Sequence, residues 1–404
     1  VKAVRCTNKP NPNNNTKAPS PALTAPALWF GPVQNGKVQM YSASVSTYPG
    51  SSSSRIFLQE LKTQTDPARP GRHSLAALDT QNIKSREPNF NSRQTVIRLP
   101  GGVYKINPGK NGGRVAGING NDGKNDTFGI FKDRYVTPET DEWSEVLLPW
   151  TARYYGNDDI FKTFNQPNNK KQSDKKQYSQ KYRIRTKEDD NDKPRDLGDI
   201  VNSPIVAVDG YLATSANDGM VHIFKKNGGS DERSYNLKLS YIPGTMERKD
   251  IEGNDSDLAK ELRTFAEKGY VGDRYGVDGG FVLRRITDDQ DKQKHFFMFG
   301  AMGLGGRGAY ALDLSKIDSS NLTGVSMFDV QNDKNNNKND NNRVKLGYTV
   351  GTPQIGKTQN GKYAAFLASG YAAKDINSND NKTALYVYDL ENGSGSLIKK
   401  IEAP

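Results

Sequence analysis

Short apolar runs alternating with Gly, Asn and Asp turns set the pattern of this chain. Three stretches repeat it: Tyr211–Phe224, Phe296–Leu314 and Tyr363–Leu390 each open on an apolar run, pass through a polar turn and close on an aromatic or an Asp-Leu pair. Runs of this length predict hairpins with both faces buried in a stack of sheets, which is how a β-propeller blade reads in sequence. The interval from Asp313 to Asp389 exceeds the roughly 40–50 residues of a compact propeller repeat, so the blades are expected to carry insertions. The Asn-rich stretches 329–342 and 375–382 are those insertions, too polar to order themselves by burial.

Upstream, the pattern is weaker. Residues 1–26 are rich in Pro and Asn and are predicted to be extended or disordered. Strand candidates follow at Lys37–Tyr48, Arg55–Leu58 and Thr95–Leu99, and Pro100-Gly101-Gly102 turns the chain into Val103–Ile106. A helix is predicted from Thr137 as N-cap, with Pro138 at its first position, through Val146 and Leu147 to a break or kink at Pro149. A second helix follows Ser256 and places Leu258, Leu262 and Phe265 on one face. The chain divides into a β-rich N-terminal region (1–142) with a disordered start, a helix and basic linker (143–196), and propeller blades (197–404).

Composition sharpens this picture. Only 34% of the 404 residues are hydrophobic and the mean hydropathy is −0.81, so core is scarce and loop is plentiful. The class is mainly β with few helices. Cys6 is the single cysteine, which rules out an internal disulfide and leaves the compartment open. No apolar run approaches the roughly 18 residues that span a bilayer, and no signal peptide is present. A first residue of Val1 and a strand-like run just before Pro404 read as ends cut from a longer chain.

The net charge of +11 matters through its location. From Lys162 to Lys187 there are nine basic residues against one acid, Asp174, and the acidic cluster Glu188, Asp189, Asp190 and Asp192 follows at once. An excess held in one loop does not point to nucleic acid. The stretch reads either as a solvated linker or, through Lys170, Lys171, Lys175, Lys176, Lys181, Arg183 and Arg185, as a site for an acidic partner or an anionic surface.

Candidate chemistry is sparse. Gly303-Leu304-Gly305-Gly306-Arg307-Gly308 matches the dinucleotide pattern, but a strand-like run follows where a pyrophosphate needs a helix start, so a tight hairpin is expected. Oxygen ligands recur as in a calcium loop at Asp329, Gln331, Asp333, Asn337 and Asp340, although Lys334 stands where such a loop carries glycine. Asp375, Asn377 and Asn379 match the first three ligand positions of a second loop. Chance spacing in Asn/Asp-rich sequence is the competing reading for both. His73, His222 and His295 are far apart; His222 and His295 sit in apolar runs and read as hydrogen-bonded structural histidines. Asn217-Asp218-Gly219 is a hairpin turn signal. Tyr348, Tyr371, Tyr386 and Tyr388 serve either blade packing or a recognition face.

Several ordered motifs resemble one family. Leu197 to Pro204 (LGDIVNSP), Ala216 to Phe224 (ANDGMVHIF), Tyr241-Ile242-Pro243, Gly305 to Leu314 (GGRGAYALDL), Leu346 to Ile355 (LGYTVGTPQI), Asn360 to Ala365 and Ser369-Gly370-Tyr371 are similar to the PilC-type type IV pilus tip adhesins. The motifs lie within residues 143–404; the region before them is less distinctive. The resemblance implies a modified, quinoprotein-like propeller that carries calcium, of which this chain holds a partial, truncated set of blades, with the family's distinctive calcium loop expected beyond Pro404. It also implies export to the outer membrane and cell surface, association with pilus subunits at the pilus tip, support of pilus assembly against retraction, and attachment to a host-cell surface receptor. A ring left incomplete would expose two sheet faces.

Two other classes stay in view. A quinone-dependent dehydrogenase shares the fold, but its stacking Trp and adjacent cysteines have no counterpart here: Trp29, Trp143 and Trp150 all precede the blades, and the blades contain no cysteine. An assembly scaffold without a host ligand is the third.

Overall fold

In the computed structural model, residues 27–44, 54–76, 87–107, 114–132, 137–154, 161, 182–187, 193–194, 196–228, 234–267, 275–334, 338–371 and 382–404 are described. The N-terminal part is a four-stranded antiparallel meander of β1 (Ala27–Phe30), β2 (Lys37–Ser44), β3 (Arg55–Thr65) and β4 (His73–Leu75). A hairpin of β5 (Gln94–Leu99) and β6 (Gly102–Ile106) follows, and a small pair, β7 (Thr186–Lys187) and β8 (Lys193–Pro194), lies later. Blade 1 is β9 (Val206–Val208), β10 (Tyr211–Ala216), β11 (Met220–Lys226) and β12 (Tyr235–Ile242). After it come the short hairpin β13 (Glu247–Lys249) and β14 (Asp255–Asp257). Blade 2 is β15 (Phe281–Thr287), β16 (Gln293–Ala301), β17 (Ala309–Asp313) and β18 (Ser326–Val330). Blade 3 is β19 (Gln354–Lys357), β20 (Tyr363–Ala368), β21 (Ala384–Asp389) and β22 (Leu397–Glu402).

The blade strands form where the apolar runs predict them because both of their faces are covered. All six residues of β10 are buried. Blade 1 meets blade 2 through Tyr211, Ala213, Ile223 and Tyr241 on one side and Phe296, Met298, Tyr310 and Leu312 on the other. The opposite face of blade 2, with Phe297, Phe299, Ala311 and Phe328, packs on Ala365, Leu367, Tyr386 and Tyr388 of blade 3. Their first strands β9, β15 and β19 lie side by side, β15 touching both of the others. The three sheets thus turn about a common axis in the manner of a propeller.

Blade 1 does not expose its far face. Tyr41 and Ala43 of β2 and Ile56 and Leu58 of β3 pack there against Leu212, Phe224, Tyr235 and Leu237. The expectation of two bare sheet faces is therefore corrected at this end. The N-terminal region also enters the blade itself: β5 adds in parallel to the outer strand β12, from Leu239↔Gln94 to Ile242↔Ile97, making a six-stranded sheet in the order β6-β5-β12-β11-β10-β9.

The two helices differ in outcome. Helix α1 (Leu148–Ala152) follows a π-helical turn, Trp143–Leu147, so helical structure starts later than Thr137 and continues through Pro149. Pro149 follows directly on the π-helical turn, in which the Leu148 N–H reaches back five residues to the Trp143 carbonyl. Helix α2 (Leu258–Glu267) starts as predicted, with Asp257 Oδ1 accepting from the Lys260 N–H at 2.9 Å and Leu258, Leu262 and Phe265 buried.

The glycine run 303–308 is the β16–β17 connection, a 3₁₀ turn followed by a strand, as the hairpin reading expects. A side chain at Gly305 would collide with the carbonyl oxygen of Gly276. Gly305→Ala is expected to cost at least about 2 kcal/mol, read as a lower denaturation midpoint, because backbone must move to admit the methyl.

Candidate functional site

Two buried polar centres and one cleft stand out in this frame. The first lies at the β10–β11 turn, where Gly219 takes φ +84° and presents Asp218 inward rather than to solvent. Asp218 Oδ2 accepts from the Gly198 N–H at 2.9 Å and from His222 Nε2 at 3.0 Å, and lies 3.7 Å from Arg153 Nη2 just past α1. The other ring nitrogen, His222 Nδ1, lies 2.8 Å from Ser240 Oγ on β12. Burial pushes the Asp218 carboxyl up, but His222, Arg153 and the Gly198 amide outweigh it and hold it far below the carboxylate range. Burial holds His222 below its ordinary value against the pull of Asp218. Neutral His222 with Nε2–H donating to Asp218 leaves Nδ1 to accept the Ser240 hydroxyl.

The order Ser240, His222, Asp218 superficially matches a hydrolytic triad. It has no route to a substrate, because Ser240 and His222 are both 0% exposed. The centre fastens blade 1 to the segment that carries Arg153. His222 is thus the structural histidine its sequence setting suggests; His295 instead stacks on Phe297 at the outer end of β16, with centroids 4.9 Å apart.

The second centre is at Asp329. Its side chain, 2% exposed, accepts from Tyr241 Oη at 2.9 Å and Thr245 Oγ1 at 3.3 Å, and Arg98 Nε of β5 lies 3.7 Å away. Burial raises its pKa to about 6, with Arg98, Tyr241 and Thr245 opposing. A folded-state pKa above the unfolded value means that stability from this group is fully present below about pH 4 and is lost as pH rises through about 6. Arg98 offsets that loss only when the carboxylate is charged. Arg98→Gln is therefore expected to cost about 1–2 kcal/mol at pH 7.5 and clearly less at pH 5, as read by urea melts at both pH values.

Asp329 forms the floor of a polar cleft of about 950 Å³ between β18, the β13–β14 hairpin and the Leu99-Pro100 turn. Its rim is held by the ion pairs Lys334–Glu247, at 3.4 Å, and Lys249–Asp255. The resemblance motif Gly305–Leu314 contributes Arg307, whose guanidinium lies over the Tyr348 ring, 5.2 Å from its centroid.

The proposed calcium ligands do not converge in their described part. Asp329 is spent on Tyr241, Thr245 and a cation, and Gln331 donates to the same Thr245. Asp333 turns elsewhere, accepting from the Val344 N–H at 2.9 Å and Lys338 at 3.0 Å. The alternation 329, 331 is the two-residue period of strand β18 and its extension, not a loop wrapping an ion. The described residues of this loop do not fit a calcium ion, and among the described residues no three His, Cys, Asp or Glu cluster. Asn337, the Asp340 side chain, Asp375, Asn377 and Asn379 lie outside the described residues.

Of the anionic-surface candidates, Lys170, Lys171, Lys175, Lys176 and Lys181 also lie outside them. Arg183 and Arg185 are turned inward and do not offer a surface. Arg183 Nη2 donates to the Phe265 carbonyl at 2.6 Å, and the Arg185 guanidinium, in a residue 3% exposed, sits 4.6 Å from the Trp150 ring centroid and donates to the Trp150 carbonyl at 2.6 Å. Tyr386 and Tyr388 are core, while Tyr371 is exposed.

A family model over half of the chain shows its family. The model of the PilY1 β-propeller domain matches residues 197–404. A type IV pilus biogenesis factor PilY1 homolog from Xylella fastidiosa is 29% identical over 193 residues, which is 48% of this chain and 10% of that protein. The type IV pilus biogenesis factor PilY1 of Pseudomonas aeruginosa is 29% identical over 221 residues, 51% of this chain and 17% of that protein. The crystal structure of the P. aeruginosa PilY1 C-terminal domain aligns with a TM-score of 0.30 at 22% identity, over 48% of this chain and 30% of that one. The chain matches less than a fifth of the length of either curated relative.

Proposed function

This chain belongs to the PilY1 β-propeller family, and from that premise we propose that it acts in type IV pilus biogenesis as a binding module of the bacterial cell surface. The observation that carries the proposal is the family match over 197–404, the span that folds into the three blades. In this reading the propeller associates with pilus subunits at the pilus tip, in contact with the outer membrane, and takes part in attaching the bacterium to a host-cell receptor. Among the described residues no helix is long and apolar enough to cross a membrane. Binding rather than catalysis is favoured by the burial of the histidine centre, which leaves its nucleophile-like hydroxyl sealed.

Purified chain, checked for folding by circular dichroism, is expected to block attachment of piliated bacteria to epithelial cells in a dose-dependent way. The assay is run with calcium and with chelator, and loss of blocking in chelator would assign a calcium requirement to this chain. A folded chain that blocks nothing would leave pilus assembly as its role and remove the host receptor.

A further inference from the structure

Each blade's outermost strand leaves one row of main-chain N–H and C=O groups without a strand partner unless something covers it. Blade 1 has solved this with β5, which adds in parallel to β12. In blade 3, the Asp340–Asn342 turn lies against β22. In blade 2, β18 pairs with β17 alone among the described residues, and the cleft runs along its other edge. At the start of β18, Arg98, which also lines the cleft, donates to the Ser326 carbonyl at 3.4 Å.

Six cations (Arg98, Arg248, Lys249, Lys260, Arg307 and Lys334) line the cleft against four carboxylates (Glu247, Asp255, Asp257 and Asp329), an excess of two positive charges. Three cations of the cleft are matched by Asp329, Glu247 and Asp255 in the ion pairs described above. Among the described residues, the side chains of Arg307 and Lys260, both lining the cleft, make no hydrogen bond and no ion pair, and Arg307 Nε is buried without a partner. Stacking on Tyr348 fixes the plane of the Arg307 guanidinium, which presents a fork suited to a carboxylate.

We propose that the free edge of β18 accepts an extended acidic peptide as an added strand, with its carboxylate side chains on Arg307 and Lys260. Main-chain pairing supplies affinity and the two cations select acidic side chains. A cleft of about 950 Å³ is at the upper end of ligand-sized pockets. A polypeptide is favoured over an acidic glycan because a glycan leaves the strand edge unpaired. The inference goes beyond the attachment reading and stands whether or not the chain meets a host cell.

Calorimetry on the whole chain tests it with three probes: a blocked octapeptide of alternating Glu and Thr, its Gln counterpart, and tetragalacturonate. The Glu peptide is expected to bind saturably, to slow amide exchange at Met327–Val330, and to bind at least tenfold more weakly to Lys260→Gln and to Arg307→Gln. The Gln peptide is expected to bind at least tenfold more weakly to the parent chain. Lys260 is exposed, so that variant keeps the test valid if Arg307→Gln does not fold. Absence of saturable binding by the Glu peptide, binding without protection of β18, or tighter binding of tetragalacturonate with the same loss in Lys260→Gln would overturn the proposal.

Discussion

Asp218→Ala is expected to destabilise the chain by about 3–5 kcal/mol, the range for removing one partner of a buried charge pair. The loss has four sources, because Asp218 holds Arg153, His222 Nε2 and the N–H groups of Gly198 and Met220. Arg153, whose side chain is 7% exposed, keeps its charge without the Asp218 carboxylate beside it. His222 Nε2 and the N–H groups of Gly198 and Met220 lose this acceptor in a site closed to water. A denaturant melt of the variant against the parent reads the effect, and a change below about 1 kcal/mol would mean that the centre is solvated or rearranges freely. Ser240→Ala removes only the neutral bond to Nδ1 and is expected to cost about 1 kcal/mol, which separates the charge from the hydrogen bond.

Leu58→Ala carries the second large effect, about 2–5 kcal/mol. Leu58 is 0% exposed and belongs to the apolar cluster that joins the N-terminal meander to blade 1. If the meander is part of the propeller's core, the variant lowers the midpoint of the same transition that melts the blades. A separate early transition, with the blade transition unmoved, would show instead that the meander folds as its own unit. The pairing of β5 with β12 and the Ser54 Oγ that accepts from the Ile200 N–H at 2.8 Å argue for one cooperative transition.

The blades were legible in sequence because strands buried on both faces need unbroken apolar runs, and Tyr211–Phe224 and Phe296–Leu314 have them. The role of the N-terminal region was not. Its strands were visible at Lys37, Arg55, Thr95 and Val103, but pairing of Gln94–Ile97 with Leu239–Ile242 joins segments far apart in sequence, and local pattern carries no register for such a pair. Asp218 was read as a turn residue, which it is; its second role depends on Arg153, brought in by the α1 region, and no spacing rule connects the two. Arg98 did leave a trace, as a cation inside the apolar run Thr95–Leu99. At Asp329 the same two-residue alternation serves a strand and mimics a calcium loop, and only the position of Tyr241 and Thr245 decides between them.

The proposed role in type IV pilus biogenesis requires that the three blades of this chain be folded. The direct measurement is a count of surface pili on the bacterium that makes it, with Asp218→Ala introduced into its own gene, in cells with and without the pilus retraction motor. The account predicts few or no pili when retraction operates and recovery of pili when it does not. Normal piliation in retracting cells, with the variant segment shown to be unfolded, would contradict it.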